Sequence, residues 1–254
     1  MKRIGIIIFV ALTVVLASCS GEAILPDQGL DSVQPAPELV PLSISTGVQT
    51  KTVLSGTTVN WTAADQIAVF DDLYYRNCFD AVSVSGASAV FEGKVAAKTT
   101  EFYAVYPYAG AIKADKDNIY VNLPAEQGAV AGSFAEDMNI SVAKGVKAVD
   151  ADAADGLVFE NACALLKFTV PSMFSSIVEA SFSADNRSLA GSLIYSKQEG
   201  RLVGVVDDGS ESNVLTLKGN LQGGQSYYFV TAPGDVSGFS LSVVDSDGVT
   251  LTNR

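Results

Sequence analysis

The chain has 254 residues, of which 48% are hydrophobic and only 17% charged, and its formal net charge is −12. An acidic surface repels phosphate backbones, so nucleic acid is not expected as a partner. The chain has no His, which removes the commonest general base and the commonest metal ligand.

The first element is a targeting segment. Lys2 and Arg3 precede an apolar run from Ile4 to Leu16, which closes on Leu16-Ala17-Ser18-Cys19. A charged start, a short apolar stretch and small residues at its end make a secretory signal. The run is shorter than the roughly 20 residues a membrane-spanning helix needs. Leu-Ala-Ser-Cys resembles a bacterial lipobox, in which the signal (residues 1–18) is cut off and Cys19 becomes the lipidated N-terminus. The simpler alternative is an ordinary cleaved signal followed by an incidental Cys. More than one acyl chain turns marginal membrane binding into stable anchoring.

Residues 19–41 read as the lipidated N-terminus and a linker. They hold Pro26, Pro35, Pro37 and Pro41 with Gly21, Gly29, Asp27 and Asp31. Proline-rich polar segments stay extended and bury little. Asp31-Ser32-Val33 fits a three-residue O-glycosylation pattern that chance also supplies readily.

From residue 42 the apolar period is two, as in strands with one face in a core. Leu42, Ile44 and Thr46 alternate with Ser43 and Ser45, and Val59 and Trp61 with Thr58 and Asn60. Ile67 and Val69 continue the pattern. Phe102, Ala104 and Tyr106 share a face, as do Ile119, Val121 and Leu123. Pro107 and Pro124 end their strands. Gly145 to Gly156, dominated by Ala, Asp, Lys and Val, reads as a solvated inter-domain loop. Its Asp150, Asp152 and Asp155 lack the calcium-loop spacing.

A second strand set follows. Leu166, Phe168 and Val170 alternate before Pro171, and Phe182, Leu193, Leu202 and Leu215 mark further strands. Tyr227-Tyr228-Phe229-Val230 is strongly β-prone. Asp245-Ser246-Asp247-Gly248 reads as a hairpin connection. The return strand beginning at Val249 is followed almost at once by Arg254, which suggests a truncated second domain or an edge completed by another molecule. The stretches 100–107 and 225–233 echo each other: a polar start, an aromatic strand and a closing proline.

Cys78 and Cys163 remain after Cys19. An exported protein permits a bridge between them, but a lone pair is no framework, and buried thiols acting as small hydrophobes are the favoured reading. No nucleophile motif, phosphate-binding Gly loop or metal-ligand cluster is visible, so no catalytic, cofactor or metal residue is assigned and no enzyme is expected.

The ordered set Lys51-Thr52-Val53, Val59 to Phe70, Phe91-Glu92-Gly93, Tyr103 to Pro107, Leu123 to Gln127 and Phe159 to Phe168 resembles the fimbrillin family, the Mfa-like relatives of type V pilins. The resemblance implies an all-β fold of two transthyretin-like β-sandwich domains, at 42–156 and 157–254. It implies a lipoprotein of the cell outer membrane and fimbrium, acting in adhesion as a structural, tip or anchor subunit. Its partners would be other pilus subunits joined by β-strand addition, with a host protein or glycan as the ligand. A surface glycan-binding lipoprotein is the alternative. In polymerising relatives a trypsin-like protease removes the first strand. Here no Lys or Arg occurs from Ser20 to Thr50, so Lys51 is the first candidate cleavage residue and Arg76 the next. Lys51 as a solvated charge at a strand end is the bland alternative.

Overall fold

The computed structural model describes residues 36–47, 61–174 and 177–253. Cys19, Asp31-Ser32-Val33 and Lys51 lie outside them. The described residues form an all-β protein. Its strands, in chain order, are β1 (Leu39–Thr46), β2 (Gln66–Phe70), β3 (Arg76–Ser85), β4 (Ser88–Ala96) and β5 (Glu101–Tyr106). Next come β6 (Ala111–Ala114), β7 (Asn118–Leu123), β8 (Glu126–Gly128), β9 (Ser141–Val146), β10 (Ala153–Leu157) and β11 (Glu160–Asn161). The remainder are β12 (Ala164–Thr169), β13 (Ile177–Ala184), β14 (Gly191–Ser196), β15 (Arg201–Val205), β16 (Val214–Leu221), β17 (Ser226–Thr231), β18 (Phe239–Asp245) and β19 (Thr250–Asn253). One 3₁₀ turn, Tyr108–Gly110, follows β5.

Four sheets result. The largest has eight strands in the order β10-β1-β4-β3-β2-β5-β9-β11. A five-stranded sheet, β19-β18-β13-β16-β8, faces the two-stranded β12-β17, and a four-stranded sheet runs β15-β14-β7-β6. Pairing crosses residue 156: β7 joins β14, and β8 lies parallel to β16.

Two cores follow from the alternation. The smaller holds Leu42, Ile44, Ile67, Phe79, Phe91, Phe102, Ala104, Ala143 and Leu157, all from one face of the eight-stranded sheet. A sheet can bury its own face only by curling, and β10 at one edge does come beside β9 near the other. Trp61 fills this interior, with edge-on contacts to Phe91, Tyr106 and Phe159 at ring separations of 4.9, 5.2 and 5.5 Å. The larger core lies on the sheet's other face, where Ala68, Phe70 and Val105 meet Ile119, Leu193, Leu217 and Phe229. Strand β2 therefore buries four consecutive residues, Ile67 to Phe70, as a central strand with cover on both sides does.

Several sequence expectations hold. β5 and β7 end immediately before Pro107 and Pro124. A side-chain cap accompanies them before β2, where Asp65 Oδ2 accepts from the Thr62 N–H at 2.7 Å. The Asp245 carboxylate likewise accepts from the Asp247 and Val249 N–H groups in the β18–β19 hairpin.

Three expectations need correction. Trp61 is core, but it precedes β2 in a loop rather than standing on a strand. The stretch 145–156 is not simply a loop: it contains the end of β9 and most of β10, which pairs parallel to β1. Its Ala- and Asp-rich composition hid a strand because that strand is short and is held by its neighbour. Strand β1 begins at Leu39, inside the expected linker, and includes Pro41. The Ser43 N–H points at β10, donating to Asp152 O at 2.8 Å. Two residues earlier the Pro41 nitrogen points the same way, but the pairing with β10 starts only at Ser43. The missing N–H costs nothing there.

Candidate functional site

The first strand is the candidate site. β1 lies inside the eight-stranded sheet, antiparallel to β4 from Leu39↔Ala96 to Ser45↔Val90 and parallel to β10 on its other edge. Its alternation turns Leu42, Ile44 and Thr46 inward, where Leu42 is 1% exposed and Ile44 0%. Thr46 would be a polar intruder, but its hydroxyl donates to Ala89 O at 3.2 Å and accepts from the Ala89 N–H at 2.8 Å. Beyond the strand, the Gly47 N–H donates to Leu157 O at 2.9 Å. Taking this strand away would leave two strand edges unpaired and an apolar slot in the smaller core.

The candidate processing residues sit differently. Lys51 follows β1 in sequence but lies outside the described residues, as does Cys19. Arg76 opens β3 and pairs with Phe70 of β2. Its guanidinium lies 3.9 Å from the Tyr108 ring centre, and Nη2 donates to Tyr108 O at 2.8 Å. A protease acting there would have to lift the start of β3 from its ladder. The structure thus brings Arg76 to the 3₁₀ turn rather than to the end of β1.

The loop leading to Arg76 is held by one carboxylate. Asp71, 3% exposed, accepts from the N–H groups of Leu73, Tyr75 and Ala96 and from the Asn77 side chain. That network fixes Tyr74 at a positive φ of 64°. Lys197 Nζ then lies 4.6 Å from the Tyr74 ring and 5.2 Å from that of Tyr103. Burial is the main reason the Lys197 ammonium titrates below its ordinary range, against Asp115, Asp117 and Glu101.

Tyr106, at the end of β5, faces two carboxylates. Its hydroxyl is 2.8 Å from Asp137 Oδ1 and 3.2 Å from Asp65 Oδ1. Burial first, then these two acids, hold the phenol far above its usual range, so it stays a donor. Cys163, just before β12, is a free thiol and no bridge joins it to Cys78, whereas Cys78 is not the free thiol that the sequence led one to expect. Burial pushes the Cys163 pKa up to about 12, which makes it a poor nucleophile.

One feature gave no signal in the sequence. A cavity of about 420 Å³ opens between β15 and the segment after β17, with Arg187 and Arg201 on its walls. These arginines are 14 positions apart (201 − 187) and belong to no motif; only the fold brings them together.

No family model matches the chain, and no curated protein does. Among solved structures, the chain is similar to a crystal structure of a "putative cell adhesion protein" from Bacteroides ovatus. The identity is 15%, the TM-score is 0.51, and the match covers 86% of each chain. At that identity the likeness speaks for a common fold, and it spans both halves of the chain.

Proposed function

We propose that this chain is a fimbrillin-like surface lipoprotein, a structural or accessory subunit of a pilus that serves cell adhesion. It is tethered to the outer membrane through lipid on Cys19 and has no enzymatic activity. One observation carries the reading: the first strand is threaded between two others, its inward residues Leu42 and Ile44 fully buried, and the first basic residue of the mature chain follows it by a few positions. Cleavage after Lys51 would free the lipid, the linker and β1 together, and a strand from a neighbouring subunit would refill the slot by β-augmentation. The ordered sequence resemblance supports this, as does the common fold with a protein described in terms of cell adhesion.

The test is N-terminal sequencing of material sheared from the cell surface. Chains beginning at Thr52, in high-mass ladders that resist mild heating, are the expected result. Recovery of monomeric, lipidated chains beginning at Cys19 and nothing else would overturn the strand-exchange route.

A further inference from the structure

We propose that the cavity beside β15 is a binding site for an extended peptide that carries a carboxylate. The site is separate from the β1 slot and does not depend on the pilus reading.

Among the described residues β15 is an edge strand whose one hydrogen-bonded neighbour is β14. Its other edge presents N–H and C=O groups, and the consecutive residues Leu202, Val203, Gly204 and Val205 line the cavity. A row of unpaired backbone groups is a template for an added strand. A sugar would use single groups from that row; an extended peptide uses several, on either side of the bulge at Val203.

In a chain of net charge −12, two guanidiniums stand at this one concavity. Arg201 is neutralised by Glu199 at 2.5 Å in an exposed pair. Arg187 is not. Its Nε donates to Ser188 O at 3.2 Å, and no acid among the described residues pairs with it. Both Nη groups are therefore left for a ligand, and a planar guanidinium is matched best by a carboxylate that accepts two parallel bonds.

Arg187 packs with Nη1 foremost on Gly234, whose φ is +140°. A Cβ at that position would overlap the guanidinium, meeting Nη1 and lying 2.9 Å from Cζ. Gly234 thus gives Arg187 its seat, and the Nε bond fixes its rotation. A cation already held in place loses little freedom when it binds. Leu202, Ala232 and Pro233 supply apolar wall beside Ser188, with Leu202 and Ala232 each 5% exposed. The surface is suited to an alternating peptide with one charged end.

The probe is a heptapeptide of alternating Thr and Val with a free C-terminal carboxylate, compared with the same peptide as its C-terminal amide. Each is titrated into the ¹⁵N-labelled chain, and the amide signals of Leu202 to Val205 are followed. The acid form is expected to bind about tenfold more tightly than the amide, the gain of one charge-assisted contact. In Arg187→Gln that preference should vanish while the amide peptide still shifts the β15 signals. Unperturbed signals elsewhere in the variant show that it folds. Equal binding of acid and amide, or no change at Leu202 to Val205 with either peptide, would overturn the proposal. Glucuronic acid shifting these signals where the peptide does not would overturn it too, in favour of an acidic sugar.

Discussion

The two cores use the same alternation and end with different seals. Inside the curled eight-stranded sheet, Ile67, Phe79, Phe91 and Ala104 are all 0% exposed. The inner face of the five-stranded sheet is sealed at one side only. Across one register row, Gln127, Leu217 and Ala180 are 3%, 1% and 0% exposed, Val243 is half-buried and Leu251 is 48% exposed. The neighbouring row fades likewise from Leu215 through Phe182 and Leu241 to Asn253. The covered rows belong to β8, β16 and β13, and burial fades outward along β18 to β19, the last strand of that sheet. Alternation decides which face a side chain takes, but the opposing layer decides how much water it loses.

The strongest way to break the sealed region is Trp61→Ala. Three aromatic partners surround the indole, and its loss leaves a cavity that the curled sheet closes poorly. The expected cost is about 3–5 kcal/mol, read as a fall in the guanidinium midpoint with unchanged slope. A loss below about 1 kcal/mol would mean that the interior is far more plastic than its burial implies.

Gln127→Ala tests the sealed side of the larger core. Strand β17 pairs with β12 along one edge. On its other edge, the Gln127 amide donates to Val230 O at 2.7 Å while its carbonyl accepts from the Val230 N–H at 2.9 Å. A side chain thus supplies the two bonds a neighbouring strand would have made. Removing it strands a buried donor and acceptor, at a cost of about 2–3 kcal/mol. Hydrogen exchange at Val230 should speed up with the loss of stability.

Phe239→Ala sharpens the contrast from the open side. Phe239 is 54% exposed and stacks on Phe182 at 5.4 Å between ring centres. Its loss should cost under about 1 kcal/mol, and binding of an apolar dye to the β18–β19 face should fall. A cost like that of Trp61→Ala would show that another layer covers this face in solution.

Much of this was legible in the sequence, and the reasons are local. Pro107, Pro124 and the Asp-Ser-Asp-Gly turn act through backbone chemistry within a few residues, so they mark strand ends without tertiary information. The period of two placed Phe102, Ala104 and Tyr106 on one face. What failed was non-local. β10 is a strand because β1 lies beside it; its own residues, Ala-Ala-Asp-Gly-Leu, carry little β-propensity. The fading burial of Leu241 and Leu251 depends on their place at the end of the five-stranded sheet, and the Arg187 cavity depends on β15 meeting the end of β17. No window of sequence contains those facts.

The smallest expected effect is electrostatic and lies in the exposed β6–β7 turn. Burial raises the Asp115 pKa, but the N–H groups of Asn118 and Asp117, the Tyr120 hydroxyl and the Lys197 charge outweigh it and hold the carboxyl below its ordinary value. The bonds are 2.8 Å from Asn118, 2.9 Å from Asp117 and 3.0 Å from Tyr120. A carboxyl with a lowered folded-state pKa binds its proton more readily in the unfolded chain. Its contribution is therefore complete above the unfolded value, and it is lost as pH falls through the lowered folded one. Because the turn is largely in water, screening keeps the effect to a few tenths of a kcal/mol. Asp115→Asn should flatten the acid limb of the stability curve slightly and leave stability near pH 7 almost unchanged. Thr46, whose hydroxyl bonds inside the sealed core, has no charge to lose over the same range. If Asp115→Asn instead cost as much as Gln127→Ala at pH 7, the turn would be a structural anchor of the four-stranded sheet, and the open half of the molecule would be held by its polar rim more than by its core.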